Sequence, residues 1–265
     1  MASNQYEVFA IKYAHLPRKA RANFVDGDAH ETSDMPLDYF VWVARNDQRT
    51  IVVDTGFSEA TATRRGRTIT NPVEEGLNAI GVDPTAVHEV VISHMHYDHC
   101  GNEDLFPAAR YHLQDAEMEY ATGRSMCHHG VAHAFEADDV ARMVHRVFDG
   151  RVAFHDGDEA LAPGISLHRL GGHTKGLQIV RVETANGPVV LASDASHFYA
   201  HFEQKRVFPV LYNLADVIEG YQTLTELAGA GRRIIPGHDP LVFDRYPAAS
   251  EATAGWIVRL DLNLN

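Results

Sequence analysis

Hydrophobic positions along the chain fall into short β-branched runs divided by polar turns, with a few stretches of helical period between them. Residues 6–14 (YEVFAIKYA), 39–44 (YFVWVA) and 49–54 (RTIVVD) each read as a strand. The polar stretch 16–37 between the first two is longer than an ordinary connection. Asn71-Pro72 then opens a helix, a capping side chain followed by proline, with Val73, Leu77 and Ile80 on one face and Gly81 as its stop. Residues 87–92 form the next strand. The middle is more helical. Residues 115–121 suit a short helix, 123–135 a loop, and 136–148 a longer helix with Val140, Met143, Val144 and Val147 as its apolar stripe. Strands return at 151–154, 165–170, 177–183 and 188–192; a second long helix covers 214–228, and 232–235 is a last core strand. No Ser/Gly linker interrupts this order. Two sheets packed face to face with helices outside, an αββα sandwich in the α/β class with residues 1–265 as one domain, is the architecture predicted.

The candidate chemistry sits where strands end. Strand 87–92 runs into Ser93-His94-Met95-His96-Tyr97-Asp98-His99, and Cys100-Gly101-Asn102 then breaks the pattern. His94 and His96, two apart on extended backbone, project to one side and can share a metal. Asp98 and His99 follow after the chain begins to turn and can face a second position. Three further strands end in a tight turn and a metal-binding side chain: Gly171-Gly172-His173, Ser193-Asp194, and Pro236-Gly237-His238. Imidazole nitrogen and carboxylate oxygen together suit zinc and similar divalent ions. Other clusters are weaker. Cys127-His128-His129 with His133 lacks a second cysteine at ligand spacing, so pocket lining or a solvated loop is the better reading, and Cys100 reads as packing. Arg64-Arg65-Gly66-Arg67 reads as solvated surface or a contact for an anionic group.

Composition narrows the classes. A chain of 265 residues with 45% hydrophobic positions supports a sizeable core without metal as a staple. The net charge of −13 and the lack of a longer basic run argue against nucleic acid as partner. Two cysteines suggest no disulfide framework, the first residues show neither the basic start nor the apolar core of a signal peptide, and no apolar run reaches membrane-spanning length. A cytoplasmic protein with no membrane partner is the expectation, and a homodimer is compatible with it.

The set H-x-H-x-D-H, Gly-Gly-His, Asp after a strand and a late Gly-His resembles the metallo-β-lactamase superfamily from about Asp54 to His238. That resemblance implies a dinuclear site holding two divalent metal ions, most simply Zn²⁺. His94, His96 and His173 would take one ion, Asp98, His99 and His238 the other, and Asp194 would bridge them. Asp54 of Asp54-Thr55-Gly56 would hold a ligand by hydrogen bonding. Residues 94–102 with Asp194-Ala195-Ser196 are most similar to the N-acyl-homoserine lactonase group. This implies a quorum-quenching type of reaction, in which a metal-held hydroxide opens a small-molecule lactone and Asp98 returns a proton to the leaving alkoxide. Those lactonases commonly carry a tyrosine three residues after the bridging Asp, where this chain has His197 as the candidate oxyanion donor. Phe198, Tyr199 and Tyr212, with His128 and His129, are candidate substrate-pocket residues. A catabolic aromatic lactone or a thioester are the alternative substrates, and a metal-dependent sensor is the non-enzymatic alternative. A glyoxalase II-like thioesterase would be expected to carry a helical domain after His238, where only a short segment follows here; a secreted β-lactamase would carry an export signal.

Overall fold

The computed structural model describes residues 4–264; Met1–Ser3, where the reading of the N-terminus begins, and Asn265 lie outside the described residues. The first sheet is built from β1 (Glu7–Leu16), β2 (Leu37–Arg45), β3 (Thr50–Val53), β4 (Thr68–Ile69), β5 (Glu89–Val91), β6 (Arg110–Gln114), β7 (Val152–His155) and, late in the chain, β13 (Ile257–Arg259). Its order is β13-β1-β2-β3-β5-β6-β7, with β4 pairing β1. The second sheet runs β12-β11-β10-β9-β8, from β8 (Glu159–Ala162), β9 (Ile165–Arg169), β10 (Gln178–Val182), β11 (Val189–Ser193) and β12 (Ile234–Pro236). The helices are α1 (Glu59–Arg65), α2 (Val73–Ala79), α3 (Asp115–Thr122), α4 (His129–Ala132), α5 (Ala137–Phe148), α6 (Tyr199–Gln204), α7 (Leu214–Ala228) and α8 (Leu241–Arg245).

Alternation along the strands divides the interior into three layers. On β1, Val8 and Ala10 face a central core that also takes Trp42, Val53, Leu167, Val180, Val182 and Leu191 from both sheets. Phe9, Ile11 and Tyr13 face the other way, onto Leu77 of α2 and Met143 of α5. On β10, Ile179 turns outward against Val217, Tyr221 and Leu224 of α7. Both faces of each sheet are therefore covered, the αββα arrangement that the period of the sequence predicts.

The parallel pairs set the direction of the chemistry. β3, β5, β6 and β7 are parallel neighbours in one sheet, and β11 and β12 in the other. β9 runs with β11 because each is antiparallel to β10. The C-terminal ends of β3, β5, β9, β11 and β12 consequently open toward one edge, where ligands collect in open α/β sheets.

Several elements depart from the sequence reading. β6, β8 and β13 are strands that carry no long apolar run; their ladders with β5, β9 and β1 supply the order that their composition does not. Residues 123–135, read as a loop, contain a 3₁₀ turn and α4.

Glu103 is the clearest conflict in the fold. Its side chain is fully buried, and neither carboxylate oxygen finds a hydrogen bond among the described residues. Burial pushes its pKa from 4.5 up to about 8, with Arg142 opposing and Asp139 adding. Between those values the folded chain alone holds the proton, so the group's favourable contribution is complete below the lower value. It declines as pH rises through the window, by up to about 1.4 kcal/mol per unit. Glu103→Gln is expected to raise the unfolding midpoint at pH 8.5 and to change it little at pH 5. An equal shift at both pH values would contradict this.

Candidate metal centre

Seven side chains from four segments meet at that edge, with Asp54 of a fifth behind them. The chain leaves β5 through Ser93, and Asp54, at the end of β3, fixes this exit: its Oδ1 accepts from the Ser93 amide and its Oδ2 from Ser93 Oγ, both at 2.7 Å. Asp54 sits at φ 64°, a strained backbone state for a non-glycine residue that these bonds hold in place. The same Oδ2 lies 2.7 Å from His99 Nδ1, which leaves His99 Nε2 to face the centre. His173 and His238 are oriented in the same manner. Their Nδ1 atoms donate to Val210 O at 2.7 Å and to Asp38 O at 2.9 Å, which turns each Nε2 toward the centre.

The ligand atoms form two groups that share a carboxylate. His94, His96 and His173 make one triad; Asp98, His99 and His238 make another, with the ligand atoms of each group within 4.8 Å of one another. Asp194 Oδ2 is 3.2 Å from His173 Nε2 and 3.8 Å from His94 Nε2, while Oδ1 is 3.1 Å from His238 Nε2 and 3.5 Å from His99 Nε2. One carboxylate thus turns an oxygen toward each triad. Donors bound tetrahedrally at about 2.0–2.1 Å lie roughly 3.3 Å apart, so these separations already match a shared ion. All seven residues are buried, and His94 Nε2, His99 Nε2 and Asp194 Oδ1 have no hydrogen-bond partner among the described residues. Orphaned polar atoms are costly unless something binds them, and here they converge. Buried His/Asp clusters of this kind fit a dinuclear metal site.

Electrostatics divide the two triads. At the second, burial is outweighed by Asp194 and Asp98, which raise His99 and His238 and so call for positive charge there, while the first is held neutral. Burial, reinforced by His99 and neighbouring imidazoles, pushes His94 well below the ordinary histidine range. Burial and His173 do the same at His96. Both are neutral, as ligands must be. Burial alone would raise Asp194, but His238, His197 and His99 outweigh it and hold the carboxylate well below its usual value.

Two supports are illegible in the chain. Glu117, on α3, is fully buried; its Oε1 accepts from the Met95 amide at 2.9 Å, and its Oε2 from Thr174 Oγ1 at 2.6 Å and the Gly176 amide at 3.0 Å. One carboxylate therefore ties the His94–His99 loop to the loop that carries His173. Gln178 of β10 is the second tie, donating Nε2 to Ile92 O and His112 O across the two sheets. Nothing in their spacing separates either from an ordinary surface acid or amide. Gly237 does leave a signal: a β-carbon there would collide with Asp194 Oδ1.

His197 lies beside the centre, with Nε2 3.1 Å from Asp194 Oδ2 but outside hydrogen-bond alignment, and its ring stacks on Phe208 at 3.9 Å. Above the two triads a cleft of ≈ 290 Å³ is lined by His96, Asp98, His173, Asp194, His197 and His238, with Leu16, Leu37, Tyr39, Tyr97 and Val210 among its walls. The aromatic candidates fall elsewhere. Phe198 and Tyr199 are buried and border a separate groove beside Pro240, because α6 turns them away from the ligand edge. Tyr212 is half exposed and packs on Tyr120. His128 and His129 are exposed around the start of α4, and their neighbours His133 and Ala134 reach the cleft instead. Among the described residues Cys127 is exposed and joins no ligand cluster, while Cys100 is buried.

The pattern of the Metallo-beta-lactamase superfamily matches residues 35–250. The chain belongs to that superfamily. Within it, N-acyl homoserine lactonase AttM of Rhizobium johnstonii is 31% identical over 178 residues, 66% of this chain. The match spans 66% of the relative's length, just under two thirds. A quorum-quenching N-acyl homoserine lactone hydrolase has a similar crystal structure, with TM-score 0.72 and 20% identity over 90% of this chain and 94% of that one. A further structure of an N-acyl homoserine lactone hydrolase, with the product N-hexanoyl-L-homoserine bound at the catalytic metal center, gives TM-score 0.70 and 20% identity over 88% of this chain and 93% of that one. This member of the superfamily shares their fold and has a histidine-rich site fit for metal. No helix among its described residues is long and apolar enough to cross a membrane.

Proposed function

We propose that this hydrolase opens the ring of a lactone, and that the convergence of two ligand triads on the two oxygens of Asp194 is the observation that carries the reading. His94, His96 and His173 would hold one divalent ion and Asp98, His99 and His238 the other, with Asp194 between them. When bound, such a pair supplies Lewis acidity and water with a pKa lowered to about 7, the chemistry of metal-assisted ester hydrolysis. Asp98 Oδ2, 3.6 Å from His99 Nε2 and 3.7 Å from His238 Nε2, stands at the floor of the cleft and passes the proton of the attacking water to the ring oxygen that leaves. The acyl C–O bond breaks, a C–OH bond forms, and the product is the open hydroxy acid. His197, braced by Phe208, presents Nε2 beside Asp194 and donates to the carbonyl oxygen as charge develops there. Leu16, Leu37 and Val210 exclude water from one side of the cleft. Similarity to lactonases in sequence and fold supports the substrate class.

A hydrolysis screen across acyl-homoserine lactones, aromatic lactones and thioesters, run with metal analysis of the same sample, tests this. Lactone turnover with about two metals per chain is expected, and Asp98→Asn should reduce it by at least about 100-fold, the loss of a proton-transferring group. Thioester turnover without lactone turnover would refute it.

A further inference from the structure

The cleft over the ligand cluster has a basic mouth in an acidic protein. Arg18, from the segment after β1, and Arg67, just after α1, both line it and are half-buried. The chain as a whole carries −13, and the other arginines near the cleft are paired: Arg64 and Arg65, the latter also lining it, share Glu136 at 2.9 and 2.7 Å. Arg18 and Arg67 have no carboxylate partner among the described residues. Arg18 donates only Nη2 to Ala22 O, at 2.6 Å. Arg67 donates Nε to Tyr97 OH at 3.1 Å and Nη1 to Arg65 O at 2.8 Å. Most of their five N–H donors each are therefore uncommitted.

The surroundings hold these guanidiniums in place. Arg65 stacks on the Tyr97 ring at 4.0 Å, with Arg67 at 6.0 Å from the same ring. Tyr97 OH lies 3.3 Å from Tyr39 OH, and Tyr39 packs edge-on against His238 at 5.1 Å. A chain of contacts thus runs from the arginines to the ligand cluster, so a group held at the mouth has a defined position over the floor. Two like charges kept half-buried and unpaired are unfavourable in the free protein, and a bound anion removes that cost. A planar carboxylate matches the guanidinium fork in two parallel hydrogen bonds.

We propose that Arg18 and Arg67 form an anion-binding subsite at the mouth of this cleft, and that the substrate is a lactone or ester bearing a second, ionised carboxylate. This rests on the reading of the cleft floor as the hydrolytic site. Leu16, Leu37 and Val210 line the same cleft and offer apolar surface for the hydrocarbon between the two ends of such a substrate. Of the basic cluster read in the sequence, Arg67 alone is left to serve it, and its companion Arg18 comes from the segment read only as irregular.

The decisive test measures binding without turnover. Glutarate and butyrate are titrated into the metal-loaded enzyme by calorimetry; both offer one carboxylate to the centre, but only glutarate has a second for the arginines. Glutarate is expected to bind at least tenfold more tightly, and Arg18→Gln with Arg67→Gln should abolish that preference. Arg67→Lys, which keeps the charge and guards against a folding artefact, should restore part of it. Equal binding of the two acids by the wild type, or a preference that survives in the double variant with its metal content intact, overturns the proposal. In kinetics, the ratio of kcat/KM for a carboxylate-bearing lactone to that for its methyl ester should collapse in the double variant, chiefly through KM. If no lactone is hydrolysed but glutarate is still preferred, the lactonase reading fails and the subsite stands.

Discussion

Replacing His238 with alanine is expected to cut metal content from about two ions per chain to about one and to lower lactone turnover by at least about 100-fold. His238 Nε2 stands 3.1 Å from Asp194 Oδ1 and 3.7 Å from Asp98 Oδ2, so it is the group through which the second triad closes on the shared carboxylate. Its removal leaves two of the three residues of that triad beside the shared Asp194, and two buried carboxylates facing fewer cations. The first triad, with His173 anchored to Val210 O, keeps its geometry. Folding should survive, since the main-chain bonds of Gly237 and His238 to Ser196 and His197 do not involve the imidazole. Metal analysis by mass spectrometry beside steady-state kinetics reads both effects. Two ions per chain with undiminished turnover would remove the basis of the two-metal reading.

Glu117→Ala is expected to act at a distance from any ligand. Three donors, the Met95 and Gly176 amides and Thr174 Oγ1, converge on this buried carboxylate. Losing it strands all three away from water, at roughly 1–3 kcal/mol each when no replacement forms. The loops that carry His94, His96 and His173 then lose their common tie. Metal affinity should fall by about 10–100-fold, the range for a group that orients ligands without touching metal. The unfolding midpoint should fall with it. Competition with a chelator and thermal unfolding of the loaded protein measure the two losses separately. A variant with unaltered affinity would show that the backbone alone positions the loops.

Asp54, Glu117 and Gln178 show how legibility depends on where a partner lies. The H-x-H-x-D-H run could be read because its members are neighbours in the chain and their chemistry has no other reason to cluster. His173, Asp194 and His238 could be read because each follows a recognisable strand and a small residue or tight turn. Asp54 shared that position at a strand end. Glu117 and Gln178 did not: their partners are 22 to 86 residues away, and an acid in the first turn of a helix has an ordinary explanation in the helix dipole. The pocket walls were harder still. Phe198, Tyr199 and Tyr212 are near Asp194 in sequence, but α6 and the turn before α7 carry them to other faces.

The chain by itself determined the layered sheets, the strand ends that carry chemistry and the ligand types, because periodicity, tight turns and donor identity are local properties. Only the folded molecule decided which oxygen of Asp194 faces which triad, which acid ties the loops and which arginines stand unpaired at the mouth. Those are relations between segments that are far apart in the chain, and they exist only once two sheets have packed and brought the five strand ends to one edge.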